Sequence, residues 1–234
     1  MHNVVDRLRR NLAAVHRRIQ TACARAGRLA DQVRLIAVTK SAQTEWIREL
    51  VSLGQCDLAE NRPQQLLERA EQIGESVIWH LIGPLQRNKI RKILPAATWI
   101  HSIDSLKLLA DVDRIAGELQ LRPRILLQVN VSGEESKQGF DPESLVQQWD
   151  EVEAYQHVDV QGLMTMAPFV DDPEWVRPVF RALKTFRDRL VERQNQRLLL
   201  PELSMGMSGD FDVAVEEGAT MVRIGSTLFE GLDV

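Results

Sequence analysis

The chain has 234 residues, with 29 Lys and Arg against 33 Asp and Glu and a formal net charge of −4. That length suits one large domain or two small ones, with a core that needs neither disulfides nor metal. The mild acidity argues against a nucleic-acid partner, and no apolar run nears the roughly 20 residues of a bilayer span. The segment VVDRLRRNLAAVHRRIQTACARAGR is arginine-rich, as organelle-targeting segments are. However, Val5, Leu8, Leu12, Val15 and Ile19 recur at three- and four-residue spacing, so it reads as a helix with one packed face, its arginines in solvent and Gly27 as its stop. No secretory apolar region is visible, and Cys23 and Cys56 stand alone without metal-ligand spacing. A reducing, cytoplasmic location and no zinc site are the expectations.

After this helix the pattern alternates. Strands are predicted over 33–40, 56–61, 76–83, 98–104, 124–131, 158–168, 201–208 and 220–231. Helices are predicted between them over 44–54, 62–74, 85–97, 105–121, 142–155, 173–194 and 209–219, the third broken by Pro95 and the sixth kinked near Pro178. Residues 132–141 read as a loop. Eight strands alternating with helices imply βαβ units and a parallel sheet. The predicted fold class is α/β: one domain over 1–234, a single (β/α)8 TIM barrel with an extra N-terminal helix. An open doubly wound sheet is the alternative, but Ser-Ala-Gln follows Lys40 where a GxGxxG turn would be expected.

Active sites of such barrels gather at the C-terminal strand ends. Those ends carry Lys40, Glu60 and Asn61, His80 with Gly83, His101 with Asp104, Asn130, Met164 to Met166, Met205 to Ser208, and Arg223 to Ser226. Lys40 ends an apolar strand. An amine at the rim of a low-dielectric interior is disfavoured as an ammonium and becomes nucleophilic toward carbonyls; the plainer reading is a solvated strand end. Ser208, Gly209 and Asp210 after strand seven, and Gly225, Ser226 and Thr227 after strand eight, stand where barrels of this kind bind phosphate. Ordinary turn chemistry also uses these residue types. Arg223 either points into the mouth or pairs with an acid beneath it. A lone His80 is more often a satisfied core group than a catalyst. His80 and His101 lack carboxylates at ligand spacing, and no GxSxG elbow is present.

The motifs IAVTK, AEN, WHLIGPLQRNK, SKQGF, GLMTMAP, LSMGMSGDFDVAVEEGATMVRIGST and FEG, in this order from Val33 to Gly231, together resemble the pyridoxal phosphate homeostasis family, known in bacteria as YggS-like. The resemblance implies a barrel like that of alanine racemase, binding pyridoxal 5′-phosphate (PLP). Lys40 matches the lysine that forms a Schiff base with PLP, and Asn61 matches an asparagine near the cofactor. Ser208, Gly225 and Ser226 match the phosphate site. Arg223 matches an arginine beside the cofactor, serving either the ring nitrogen or the phosphate. His80 and Met164 would line the same mouth. The chain departs from commoner family versions at Ala59 and Arg87, neither of which matches a cofactor ligand.

The resemblance further implies a role in vitamin B6 and amino-acid balance without established turnover. The chain ends just after its eighth strand, and its single tyrosine, Tyr155, falls on an outer helix. A second acid/base group for racemisation is therefore not apparent. The expectations are a monomer, no membrane partner, and apo PLP-dependent enzymes as recipients. The alternatives are a racemase or decarboxylase of narrow specificity, or an aldolase using Lys40 on a phosphorylated sugar.

Overall fold

The computed structural model describes residues 2–74, 76–134, 138–193 and 198–232, without the side chains of residues 2 and 3. Of the predicted 132–141 loop, residues 135–137 lie outside the described residues, as does Gln194 at the end of the sixth predicted helix.

Eight parallel strands form a closed barrel in sequence order. They are β1 Arg34–Val38, β2 Asp57–Glu60, β3 Ile78–Leu81, β4 Trp99–Ile103, β5 Arg124–Gln128, β6 Asp159–Met164, β7 Glu202–Met207 and β8 Met221–Ile224. The pairing of β1 with β8, with Ile36 opposite Arg223, closes the ring. The helices are α1 His2–Arg25, α2 Thr44–Ser52, α3 Pro63–Ile73, α4 Ile90–Ile93, α5 Leu106–Glu118, α6 Pro142–Gln147, α7 Trp149–Ala154, α8 Arg177–Val191 and α9 Phe211–Glu216. This is the architecture the alternation implies.

Strand alternation sorts the core into two layers. Leu35 and Ala37 of β1 join the large outer cluster under the helices. Ile36 and Val38 face inward and pack with Ala59, Trp99, Leu126, Met164 and Met221. The extra helix α1 buries Leu8, Leu12, Val15 and Ile19, while Val5 is half-buried. It lies over the closing seam: Asn11 donates to the carbonyls of Leu228 and Glu230 at 3.0 Å, and Arg28 donates to the Val215 carbonyl at 2.7 Å.

Three helices differ from the pattern reading. The sixth predicted helix opens with a 3-10 turn, Pro173–Val176, so Pro178 falls in the first turn of α8 and kinks nothing. There its missing N–H has no helical partner to lose. The 142–155 helix splits into α6 and α7 at Gln148. The 85–97 helix stops ahead of Pro95, as expected, but what precedes the break is only a 3-10 turn, Arg87–Lys89, and the single turn of α4. The predicted last strand ends at Ile224, after which residues 226–231 are turn.

Candidate functional site

A cavity of about 390 Å³ opens at the C-terminal mouth of the barrel. Six of the eight residues singled out from the sequence line it: Lys40, Asn61, Ser208, Arg223, Gly225 and Ser226. They come from the ends of β1, β2, β7 and β8, so barrel closure brings together groups 185 positions apart (Lys40 to Gly225). Val38 and Ile82, packed on the inner cluster, form an apolar floor, and Met166, Phe169 and Met207 add exposed apolar side chains around it.

The other two residues are placed differently. His80 and Met164 are fully buried and lie outside the cavity lining. The face expected for them is right and the depth is wrong. His80 shares its inward parity with Ile82, and Met164 with Met166, and in each pair the later residue reaches the mouth. The expectation that His80 and Met164 line the mouth is therefore corrected by one layer.

Lys40 is exposed, at the open rim and not in the low-dielectric interior expected for a strand end. Its backbone is fixed instead: the Lys40 carbonyl accepts from Gln65 Nε2 at 2.8 Å. The preceding Thr39 donates to Glu60 Oε1 at 2.6 Å, tying the strand end that carries Lys40 to the one that carries Asn61. Glu60 is buried, and its Oε2 has no hydrogen-bond partner among the described residues. Burial raises its carboxyl above the ordinary value, opposed by the Thr39 bond and the charge of Arg69. Gly83 sets the place of Asn61, because a Cβ there would collide with the Asn61 carbonyl and Oδ1.

The opposite wall is a pair of turns. Ser208 Oγ accepts from the Gly225 N–H at 3.2 Å and from the Thr227 N–H at 3.5 Å. The Asp210 carboxylate accepts from the Met207 N–H at 2.6 Å. Burial raises Asp210, while that bond and the charge of Arg223 pull it down. Gly206, with φ of 91°, lies where β7 shifts register against β8, between Ser204 and Met207. A Cβ there would also collide with Ala214 of α9, so the position needs glycine twice over.

Arg223 settles the alternative left by the sequence. It is 3% exposed and reaches the cavity, and its bonds go to neutral groups. Nη1 donates to Ser204 Oγ at 2.6 Å and Nη2 to the Thr165 carbonyl at 2.9 Å. Burial lowers its pKa to about 10, partly offset by Asp210, so it remains a cation at neutral pH.

Sequence reasoning missed the layer beneath. His101 Nδ1 lies 2.9 Å from Ser204 Oγ, and His101 Nε2 lies 2.9 Å from His80 Nδ1. His80 Nε2 lies 3.1 Å from Asp57 Oδ1. A polar residue at an inward strand position, such as Ser204 between Leu203 and Met205, was the available signal. Burial lowers both histidines, His101 well below the ordinary value with help from His80, Arg223 and Arg34. Tyr155 sits in the outer layer, donating to Glu151 at 3.2 Å. Among the described residues no group of three or more His, Cys, Asp or Glu is arranged to hold a metal ion, and no helix is long and apolar enough to cross a membrane.

Known proteins share this design. A family model described as "Alanine racemase, N-terminal domain" matches residues 10–233. A protein of Aquifex aeolicus (strain VF5) named pyridoxal phosphate homeostasis protein is 42% identical over 219 residues, covering 93% of this chain and 95% of that one. A human protein of the same name is 36% identical over 234 residues, covering 93% of this chain and 84% of that one. Among solved structures, PipY of Synechococcus elongatus PCC7942 with PLP bound is 38% identical with a TM-score of 0.81, covering 90% of this chain and 99% of that one. Alanine racemase of Clostridium difficile 630 superposes with a TM-score of 0.76 at 19% identity, over 96% of this chain and 59% of that one, which is a likeness of fold alone. The chain belongs to the alanine racemase N-terminal-domain family and, within it, to the pyridoxal phosphate homeostasis proteins.

Proposed function

We propose that this chain holds PLP at the barrel mouth and helps to keep that cofactor, and with it amino-acid pools, in balance without turning over a substrate. The observation that carries this reading is the pairing in one cavity of an amine, Lys40, with a hydroxyl-rich turn at Ser208, Gly225 and Ser226. The donor set fits the ligand. Hydroxyls and backbone N–H groups suit a phosphate, a buried guanidinium suits an anionic or ring-nitrogen contact, and the volume is within the range of about 300–1,000 Å³ usual for small-molecule sites. The relative PipY, whose structure has PLP bound, supports the same assignment.

Bound there, the cofactor supplies an aldehyde that amines attack. Lys40 offers the amine, and its fixed backbone aims it into the cavity. Ser208, Gly225 and Ser226 would hold the phosphate, Asn61 and Arg223 would bind the cofactor beside it, Arg223 at the ring nitrogen or the phosphate, and Val38 and Ile82 would keep water from the cavity floor. Among the described lining residues only Lys40, Asp210 and Arg223 titrate, and Asp210 is engaged by the Met207 N–H. This supports a carrier, since racemisation needs matched acid/base groups on both sides of the reacting carbon. In this reading the whole chain is one cofactor-binding domain. It acts as a monomer in the cytoplasm, in keeping with its free Cys23 and Cys56, and passes PLP to apo-enzymes through the open mouth.

The test is to incubate the purified protein with PLP, dialyse, and record its visible absorption before and after borohydride. Chiral analysis of amino acids added to the loaded protein completes it. A retained visible band that borohydride removes, with no sustained turnover, is the expected result. A colourless dialysed protein contradicts PLP binding, and sustained turnover contradicts the carrier role. Ser208→Ala is expected to weaken retention by about 1 kcal/mol, since a hydrogen bond to a charged group contributes roughly 1.5–3 kcal/mol and a water filling the vacated place recovers part of it. Unchanged affinity in equilibrium dialysis would contradict the role of Ser208.

A further inference from the structure

Below the cavity floor a line of polar side chains crosses the barrel. It runs from Arg223 on β8 to Ser204 on β7, across the interior to His101 on β4, and then to His80 on β3 and Asp57 on β2, with separations of 2.6, 2.9, 2.9 and 3.1 Å. Ser204, His80 and His101 are fully buried. Asp57 begins β2 at the far end of the barrel, its side chain 21% exposed and 3.8 Å from Arg34 Nε.

The chemistry of the two ends gives this line a direction. Arg223 can only donate, so Ser204 Oγ accepts from it. At the other end the Asp57 carboxylate can only accept, so His80 Nε2 carries its hydrogen. A neutral imidazole has one donor and one acceptor. His80 Nδ1 is therefore the acceptor, His101 Nε2 the donor and His101 Nδ1 the acceptor for the Ser204 hydroxyl. Every bond is satisfied in this one arrangement. With both tautomers reversed, His80 Nε2 would face the carboxylate as a second acceptor, and Ser204 would have to accept from Arg223 and His101 together. Packing locks the rings: His80 stacks on Trp99 at 5.8 Å and an interplanar angle of 6°, and His101 meets Trp99 edge-on at 6.2 Å.

We propose that Asp57, His80, His101 and Ser204 are positioning residues for Arg223: they form a one-directional hydrogen-bond relay that couples the far end of the barrel to the grip on PLP at the mouth. The coupling rests on the functional reading above; the tautomers do not. Loss of the Asp57 acceptor leaves the His80 Nε2–H unmatched and removes the group that selects the tautomers. The disturbance reaches Ser204 and then Arg223. Asparagine at position 57 keeps an acceptor oxygen and should rescue the relay.

The test uses the full chain. Nitrogen-15 NMR of the ligand-free protein is expected to show His80 and His101 both as neutral Nε2–H tautomers. Asp57→Ala is expected to change the His101 signals, although His80 lies between, and Asp57→Asn to restore them. Equilibrium dialysis against PLP is expected to show roughly three- to tenfold weaker retention for Asp57→Ala and for Ser204→Ala. Asp57→Ala should add nothing in the Ser204→Ala background, because the relay is already cut, whereas independent structural effects would add. Nδ1–H tautomers in the wild type, or wild-type His101 signals in Asp57→Ala, would overturn the relay. Additive losses in the double variant would overturn the coupling. If Asp57→Ala does not fold, His101 signals and retention in Ser204→Ala decide by the same criteria. Wild-type protein that takes up no PLP overturns the functional reading and the coupling with it, while the tautomers still decide the relay.

Discussion

Replacing Lys40 with alanine is expected to abolish borohydride-trappable retention of PLP and leave the barrel folded. The side chain is exposed, so its removal empties no packed space and strands no buried charge. The backbone bond from Gln65 Nε2 to the residue 40 carbonyl survives the change, as does the buried bond from Thr39 to Glu60. Stability by urea denaturation should move by less than about 0.5 kcal/mol, as for surface substitutions in general. The phosphate turn and Arg223 remain, so reversible binding should persist while covalent retention through dialysis is lost. A visible band that survives both dialysis and the substitution would contradict the assignment. A large drop in unfolding midpoint would show a structural role for the amine.

The second large effect is on stability in acid. His80 and His101 have folded-state values below the ordinary histidine value of 6.5, chiefly because burial disfavours the imidazolium. The unfolded chain therefore binds more protons than the folded one in the window beneath that value. Their contribution is present in full above the ordinary value and is lost progressively as pH falls from there through the depressed folded values. With both groups contributing, the slope is at most about 2.7 kcal/mol per pH unit, twice the roughly 1.36 of a single proton. His16 shifts in the same direction. Glu60 and Asp210 are raised by burial and act in the opposite sense, so their contribution is lost as pH rises through their folded values. Urea midpoints measured at several pH values between about 7 and 5.5 are expected to fall steeply for the wild type. They should fall much less for the His80→Gln, His101→Gln double variant, even though that variant starts less stable. A flat wild-type profile would contradict the buried neutral pair.

The sequence showed which residues face the mouth more readily than how deep they lie. Period-two alternation identifies the inward face, but a strand's end is set by where its ladder stops. β3 stops at Leu81 and β6 at Met164, so Ile82 and Met166 occupy the rim intended for His80 and Met164. Lys40, Ser208 and Gly225 were legible because each sits at a turn with its own local chemistry. The polar line was not legible, because its central bond joins residues 103 positions apart on opposed strands and neither partner has a local reason to meet the other. The end of α4 was legible, because Pro95 stops it; the break between α6 and α7 at Gln148 was not, because no Pro or Gly marks it.

If Lys40 is the residue that bonds PLP at this mouth, borohydride reduction of the PLP-loaded protein followed by peptide mass mapping will give one reduced pyridoxyl-phosphate adduct, on the peptide that contains Lys40. An adduct spread over surface lysines, or one confined to a lysine elsewhere, would contradict it.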